Sequence, residues 1–233
     1  MIVIPAIDLR AGRAVRLVRG DPSEETAYDD DPVAVAVRFQ EEGARRLHVI
    51  DLDAALDEGE NRDAIGEICR AVALPVQVGG GVRSLAQIGD VLELGAQRAI
   101  LGTAAAADAG FVARAVEEHA EHVVVAVDVR GGHVMIKGWK EEGPALEETM
   151  AVLNDAGTPR YLVTAIARDG TLEGPDLRLY RHVMQLTDRP VIASGGVRTA
   201  EDIWELRDIG CEAAVSGKAL YEKTLKLSQV IRG

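Results

Sequence analysis

The stretch VQVGGGVRSLAQI at 76–88 returns as VIASGGVRTAEDI at 191–203. Six of the thirteen positions are identical, and the second copy begins 115 residues after the first. The match continues from GAQRAILGTAAA at 95–106 to GCEAAVSGKALY at 210–221, again 115 residues later. Self-similarity at a fixed spacing of nearly half the chain indicates a fold built from two similar halves.

Short apolar runs alternate with helix-like segments along the whole chain. The runs predict eight strands, near 2–7, 46–51, 75–79, 98–101, 122–127, 160–165, 190–194 and 213–216. This α/β alternation favours a parallel sheet, either an open doubly wound sheet or a closed barrel. The two matched halves favour the (β/α)8 TIM barrel. We therefore expect one domain over residues 1–233, with half-barrels of about 1–118 and 119–233.

The composition narrows the class of partner. A net charge of −12 would repel nucleic acid and an acidic membrane surface. A phosphorylated small molecule stays possible, because backbone amides can bind phosphate locally. The two cysteines lack metal-ligand neighbours, and the N-terminal MIVIPAIDL reads as a first strand instead of a signal peptide. We expect a cytoplasmic monomer without nucleic-acid or membrane partners.

Each copy of the repeated stretch predicts half of a phosphate site. A strand that ends in glycines and enters a helix leaves backbone N–H groups free, and glycine lets a phosphate approach them closely. The alternative is that these glycines only permit tight turns. Two matched sites on opposite rims fit a substrate with a phosphate at each end. The candidate residues are Gly80, Gly81, Gly102 and Thr103 in one half and Ser194, Gly195, Gly196, Gly217 and Lys218 in the other.

Three aspartates are candidates for acid–base chemistry. Asp8 and Asp128 each end an apolar strand, the first and the fifth, so both are expected at the mouth of a barrel. Paired carboxylates can divide acid and base roles, although a helix cap or a salt bridge is the alternative use. Asp169, in TAIARDGT, is a third candidate that taken alone resembles an Asp-Gly turn.

Other candidates are weaker. His48 lies within a strand, where a hydrogen-bonded core histidine is the more common role. Arg83 follows a glycine turn and could reach a phosphate or brace the loop. Trp139 is the one aromatic residue in the long connection after the fifth strand and could stack on a planar substrate ring. The connection after the first strand is also long, and we interpret both as functional loops. The chain has no zinc-like spacing, so we expect metal-free chemistry without a cofactor.

Several motifs together resemble the HisA/HisF family of histidine-pathway barrels, and among them the isomerases. The resemblance covers nearly the whole chain and is carried by IPAIDLRAGRAVRL, LHVIDLDAA, VGGGVRS, LGTAA, TAIARDGTLEGPDL, ASGGV and VSGKALY. It implies a half-repeated (β/α)8 barrel and an Amadori rearrangement, which converts an aminoaldose bisphosphate into an aminoketose. No cofactor or metal is implied.

The resemblance also implies roles for individual residues. Asp8 matches the general base, Asp169 is assigned as the acid, and Asp128 as a group that orients the substrate or shares the acid role. Arg19, in LVRGD, matches a position that reaches the substrate. Further contacts to the substrate are implied for His48 and Arg83, beside the glycine-rich phosphate residues given above. Trp139 and Thr164 are further candidate substrate-binding residues.

Three alternatives remain at this point. The related cyclase carries IPCLDV and a lysine in its first loop, whereas this chain has Ala6 and Arg19. A bifunctional relative, PriA, also isomerises phosphoribosylanthranilate in tryptophan biosynthesis, and its fifth loop tends to be longer and richer in arginine. The last alternative, a non-catalytic barrel that binds sugar phosphates, conflicts with the retained aspartates.

Overall fold

Eight parallel strands close into a barrel in the computed structural model, which describes residues 1–102, 105 and 108–230. The strands are β1 (Ile2–Arg10), β2 (Arg13–Val18), β3 (Asp21–Asp29), β4 (Leu47–Asp51), β5 (Val76–Gly79), β6 (Arg98–Leu101), β7 (Val123–Arg130), β8 (His133–Ile136), β9 (Glu141–Ala145), β10 (Tyr161–Ala165), β11 (Val191–Ser194) and β12 (Ala213–Ser216). The barrel strands pair in the order β1, β4, β5, β6, β7, β10, β11 and β12, and β12 pairs with β1 to close the ring. The predicted (β/α)8 barrel is thereby confirmed.

Helices cover the outside of the barrel, and side chains that cap their first turns fix where they begin. The Ser84 hydroxyl accepts from the Gln87 amide, and Thr199 and Asp202 form a reciprocal capping box. Within the described ranges, no helix is long and apolar enough to cross a membrane. The helices are α1 (Pro32–Glu41), α2 (Leu52–Leu56), α3 (Arg62–Ala71), α4 (Leu85–Glu93), α5 (Ala109–His119), α6 (Leu146–Asp155), α7 (Leu177–Leu186), α8 (Ala200–Ile209), α9 (Lys218–Tyr221) and α10 (Leu227–Val230).

Strand alternation divides the apolar residues into two cores. The outer core lies between strands and helices and includes Val3, Ile7 and Leu9 of β1. The smaller inner core fills the barrel and includes Ile4 and Ala6 of the same strand. The side chains of β1 that face the barrel interior are therefore Ile4 and Ala6, followed by Asp8 at the next inward position.

The two long connections, interpreted above as loops, fold as β-hairpins. After the first barrel strand, β1 runs on to Arg10 and pairs antiparallel with β2, which in turn pairs with β3. The turn between them is Ala11-Gly12, with φ of 48° and 76°. Positive φ at both central residues matches the right-handed twist of paired strands, which is why such two-residue turns close hairpins.

The second hairpin has the same construction. Gly131 and Gly132 have φ of 61° and 86° and connect β7 to β8, which pairs with β9. The buried positions of β2 alternate with polar ones only in part, so the pattern RAVRLV was too short and irregular to distinguish a strand from a loop. Both hairpins rise from the carboxyl end of the barrel, the face where barrels of this class carry their sites.

Tyr180 of α7 fixes the end of β11, one of the glycine-rich strand ends. Its buried hydroxyl donates to the Ser194 carbonyl at 2.6 Å and accepts from the Ser194 amide at 3.1 Å. Tyr180→Phe would leave both buried backbone groups without this partner. We expect a loss of about 1–3 kcal/mol in the free energy of unfolding, measured by urea denaturation. Tyr28→Phe, which removes an exposed 3.3 Å contact to Glu222, is the matched control and should cost less; equal losses would contradict this role.

Candidate active site

The three predicted aspartates gather at the mouth of the barrel. Asp8 takes the inward position of β1 after Ile4 and Ala6, and Asp128 takes the corresponding position of β7 after Ala126. Asp169 follows a short 3-10 helix that continues β10. Asp8 and Asp169 are 8% and 7% exposed, so neither is a solvated surface carboxylate.

A single guanidinium joins two of these carboxylates. Arg16 of β2 donates from Nη1 to Asp8 Oδ2 at 2.8 Å and from Nη2 to Asp169 Oδ1 at 2.7 Å. Within the described residues, the other oxygen of each carboxylate carries no hydrogen bond. Arg16 thus holds each carboxylate by one oxygen and leaves the other oxygen available for a further contact.

Burial and charge act in opposite directions on this group. Burial raises the pKa of Asp8, Arg16 lowers it through its charge and hydrogen bond, and the neighbouring Asp169 raises it again. Burial alone would lower the pKa of Arg16, but the charges of Asp169 and Asp8 outweigh that effect and raise it. Arg16 therefore stays charged, and Asp8 keeps a pKa above that of an ordinary aspartate.

Asp128 belongs to a second group at the same mouth. Its Oδ2 accepts from the Trp139 indole nitrogen at 2.8 Å, and Thr164 is its paired neighbour in the register of β10 with β7. Burial raises the pKa of Asp128, the hydrogen bond from Trp139 and the nearby Thr164 side chain lower it, and the charge of Asp169 raises it. The sequence predicted Thr164 and Trp139 as substrate contacts, and the structure brings both of them to this carboxylate.

The two hairpins meet over the mouth. The Trp139 ring lies against Gly20, where an added Cβ would come within 2.6 Å of Trp139 Cε3. Arg19, beside Gly20, donates its backbone N–H to the Asp169 carbonyl at 3.1 Å, while its side chain is exposed. Arg19 is therefore near the site through its backbone, and Arg16 is the arginine whose side chain enters it. Sequence reasoning missed Arg16.

The glycine-rich ends of β11 and β12 form one side of a small cavity next to Arg16 and Asp169. At Gly196, with φ of 86°, an added Cβ would collide with the Gly174 carbonyl, so only glycine fits there. Lys218 reaches across to donate to the Gly170 carbonyl at 3.1 Å. The predicted residues that line this cavity are Gly195, Gly196, Gly217 and Lys218.

The ends of β5 and β6 repeat the backbone pattern on the other side. Gly80 has φ of 101°, close to the 99° of Gly195, and a Cβ there would collide with the Asp51 backbone. Gly81 has φ of 72°, and a Cβ added at Gly102 would meet none of the described residues within 4 Å. Thr103, predicted to belong to this cradle, lies outside the described residues.

Two of the predicted contact residues turn to other partners. Arg83 pairs through Nη1 with Asp57, and both side chains are at least half exposed. His48 faces the barrel interior, where its Nδ1 lies 2.9 Å from Gln77 Nε2. Burial and the charge of Arg16 lower the pKa of His48 to about 3, so it is neutral at pH 7.

Comparison with known proteins gives one consistent result. The family model described as "Histidine biosynthesis protein" matches residues 2–226. A protein of Pelotomaculum thermopropionicum named 1-(5-phosphoribosyl)-5-((5-phosphoribosylamino)methylideneamino)imidazole-4-carboxamide isomerase is 48% identical and aligns over 99% of this chain and 91% of its own length. A Thermus thermophilus protein of the same name is 42% identical, with 99% of each chain covered.

One further relative carries another name. The "Phosphoribosyl isomerase A" of Streptomyces griseus is 43% identical and aligns over 99% of this chain and 96% of its own length. All three relatives are isomerases by name, and all match this chain from end to end.

Arg16→Met tests the shared guanidinium. Removing the positive charge and the hydrogen bond should raise the pKa of Asp8, because burial and the charge of Asp169 would remain unopposed. The measurement is a carboxyl-carbon NMR titration of aspartate-labelled protein. Asp128, which hydrogen-bonds to Trp139, is the internal control and should move less. An unchanged Asp8 titration would contradict the contact.

Proposed function

The chain belongs to the histidine biosynthesis protein family, and we propose that it catalyses the isomerisation for which its relatives are named. The substrate would be the imidazole carboxamide with two phosphoribosyl groups that those names give, called here the bis-phosphoribosyl substrate. The reaction would be an Amadori rearrangement of one ribosylamine from aldose to ketose. The observation that carries this assignment is the pair Asp8 and Asp169, held on one guanidinium between two glycine-rich strand ends.

The first step opens the ribose ring. Asp169, as the general acid, would give a proton to the ring oxygen while the bond between C1 and that oxygen breaks. The lone pair of the substrate amine forms the C1=N double bond. A protonated imine results within the substrate itself, so no lysine of the enzyme is needed for a Schiff base.

The second step moves the double bond. The Asp8 carboxylate would remove the proton from C2, and the C–H electron pair forms C1=C2 as the imine nitrogen takes back its own pair. Asp8 then returns a proton to C1 while the C2 hydroxyl proton goes to the Asp169 carboxylate. The product is the aminoketose, and both aspartates regain their starting protonation states.

The two carboxylates suit these roles because Arg16 binds only one oxygen of each of them. Asp8 Oδ2 and Asp169 Oδ1 are held at 2.8 and 2.7 Å, so the second oxygen of each can meet the substrate. Asp128, hydrogen-bonded to Trp139, is proposed to orient the substrate or to share the acid role. When a substrate ring enters the mouth, the Trp139 side chain would either move away from Gly20 or move together with the hairpin that contains Gly20.

The phosphates would be held mainly by backbone amides. The strand ends at Gly195, Gly196 and Gly217 are proposed for one phosphate and those at Gly80, Gly81 and Gly102 for the other, with Ser194 and Thr103 as further members. Lys218 adds a positive charge to the first site, where it already reaches the Gly170 carbonyl. Amide binding explains how a chain with net charge −12 can take a bisphosphate. Side-chain contacts from Arg19, His48 and Arg83 remain predictions.

A second candidate function is dual specificity. One relative is named "Phosphoribosyl isomerase A", which differs from the name of the other two. A phosphoribosylanthranilate substrate carries one phosphate and a smaller aromatic amine, and its rearrangement would use the same Asp8 and Asp169. The sequence-based expectation that bifunctional enzymes carry a longer, more arginine-rich fifth loop favours the single substrate.

We further propose that the enzyme acts in the cytoplasm as a monomer. Among the described residues, the large apolar side chains that are exposed are Val152 on α6 and Trp204 on α8. They lie on different helices, so neither marks a broad apolar interface. Light scattering during size-exclusion chromatography should return the chain mass of 24.9 kDa; a stable mass of twice that value would contradict the proposal.

Steady-state assays of the purified protein test the substrate assignment. We expect turnover of the bis-phosphoribosyl substrate, unchanged by a chelator, because the proposed steps need only proton transfer. Phosphoribosylanthranilate is the parallel substrate, and turnover of both would establish dual specificity. Turnover of neither would overturn the proposed function.

Asp8→Asn tests the base assignment. The amide cannot accept the C2 proton, so we expect kcat to fall by about 10²–10⁴-fold. Binding of a bisphosphate product analogue, measured by calorimetry, should stay close to that of the unsubstituted protein. Asp208→Asn is the matched control, since the Asp208 side chain is 72% exposed on α8. A near-normal kcat for Asp8→Asn would rule Asp8 out as the base.

A further inference from the structure

The hairpin that carries Arg16 is tied to the barrel at its first turn. The Ala11 amide donates to Asp53 Oδ2 at 2.7 Å, and the Gly12 amide donates to Asn61 Oδ1 at 2.8 Å. Neither acceptor lies in the hairpin or in the mouth of the barrel. Both belong to the connection between β4 and α3.

Asn61 is the centre of this connection. It is 7% exposed, and its backbone N–H donates to Asp51 Oδ2 at 2.7 Å. Its side-chain nitrogen donates to Asp51 Oδ1 at 2.7 Å and to Asp53 Oδ2 at 2.9 Å. With Gly12 on its oxygen, every polar group of the Asn61 side chain has a partner. The Asp51 carboxylate also accepts from the Ala54 amide and so caps α2. This second contact holds the carboxylate in place as an anchor point for Asn61.

Helix capping does not account for this side chain. Asn61 stands directly before α3, where an asparagine commonly accepts a hydrogen bond from the first turn, but its side chain makes no such bond. Its side-chain nitrogen donates to the Asp51 and Asp53 carboxylates, and its side-chain oxygen accepts from the Gly12 amide of the hairpin. Aspartate at this position would offer no donor and would add a third negative charge beside Asp51 and Asp53.

The register of the hairpin depends on the turn that Asn61 holds. Arg10 pairs with Arg13, Leu9 with Ala14 and Asp8 with Val15. The next residue is Arg16, which makes its two hydrogen bonds of 2.8 and 2.7 Å while the hairpin is in that register. A slip of one residue moves a strand by about 3.3 Å and turns its side chains to the opposite face. A loosened turn would therefore draw the guanidinium away from both carboxylates.

We propose that Asn61 is a positioning residue for the isomerisation: it anchors the Ala11-Gly12 turn to Asp51 and Asp53 and so places Arg16 between Asp8 and Asp169. This inference rests on the proposed function for its catalytic consequence. Asn61 makes no hydrogen bond to the carboxylates of the mouth, so its proposed effect on them passes through the turn and Arg16.

The pH dependence of turnover reports on Arg16 specifically. The groups that face Asp8 are Arg16 of β2 and Asp169 beyond β10, with Tyr221 of α9 close enough to feel the charge of Asp8. His48 of β4 is near Arg16 but is neutral. Arg16 is the one cation in this set, and its withdrawal should raise the pKa of Asp8. The acid limb of kcat/KM would then move to higher pH, because Asp8 must be deprotonated to act as base.

Asn61→Ala is the test variant, and Asn154→Ala is its control. Asn154 also joins three groups by side-chain hydrogen bonds of 2.8 Å, to the Leu186 carbonyl and from the hydroxyls of Tyr161 and Thr187, away from the hairpin. Both variants should lose stability. Only Asn61→Ala should lower kcat, by about 10–100-fold as for other lost supporting contacts, and shift the acid limb to higher pH.

Amide hydrogen exchange tests whether Asn61 anchors the first hairpin, independently of any effect on turnover. Asn61→Ala should speed amide exchange over residues 11–29, and Asn154→Ala should not. If Asn61→Ala fails to fold, Asp53→Ala removes the other anchor at a more exposed position and should shift exchange and pH profile in the same direction. Unchanged exchange and an unchanged pH profile would overturn the inference. Absence of turnover in the unsubstituted protein would instead overturn the proposed function, whatever the exchange result.

Discussion

The Arg16 guanidinium shared by Asp8 and Asp169 is the interaction on which the site depends. Two buried carboxylates at one barrel mouth would repel each other and lose their hydration, and a cation between them offsets both effects. The same contact holds the first hairpin over the mouth, since Arg16 is part of β2. One side chain therefore balances the charge of both carboxylates, orients them, and holds the first hairpin in position. A change that moves the hairpin is expected to change the protonation of Asp8 as well.

The remainder of the site follows from the barrel geometry. Strand alternation gives β1 and β7 an inward position at the carboxyl end, and this position holds Asp8 in one strand and Asp128 in the other. The glycine-rich ends of β5 and β11 have left-handed residues that only glycine adopts at no steric cost, which brings backbone amides to the rim. Reactive carboxylates thus come from strand ends, phosphate contacts from the following turns, and the covering hairpins from the two extended strands.

Much of this could be predicted from the sequence because it is local. Apolar runs fixed the eight barrel strands to within one to three residues, and the aspartates that end two of them had to face the mouth.

The hairpins were missed because their strands pair through turns of two residues, Ala11-Gly12 and Gly131-Gly132, in patterns too short for periodicity. Arg16 was missed because its contacts with Asp8 and Asp169 depend on how the hairpin folds over the barrel mouth. The partners of Asn61 and His48 come from distant parts of the chain, which no local pattern encodes. The half-barrel repeat and the single-domain assignment stay predictions.

A double-mutant cycle on unfolding free energy tests the central claim most directly. The single variants are Arg16→Met, Asp8→Asn and Asp169→Asn, and the doubles combine Arg16→Met with each asparagine. If one guanidinium holds both carboxylates, Arg16 should show a coupling energy of about 0.5–3 kcal/mol with each of them, the range found for groups in direct contact. Additive effects for either pair would mean that Arg16 binds one aspartate alone, and that the two groups proposed for acid and base are not held together.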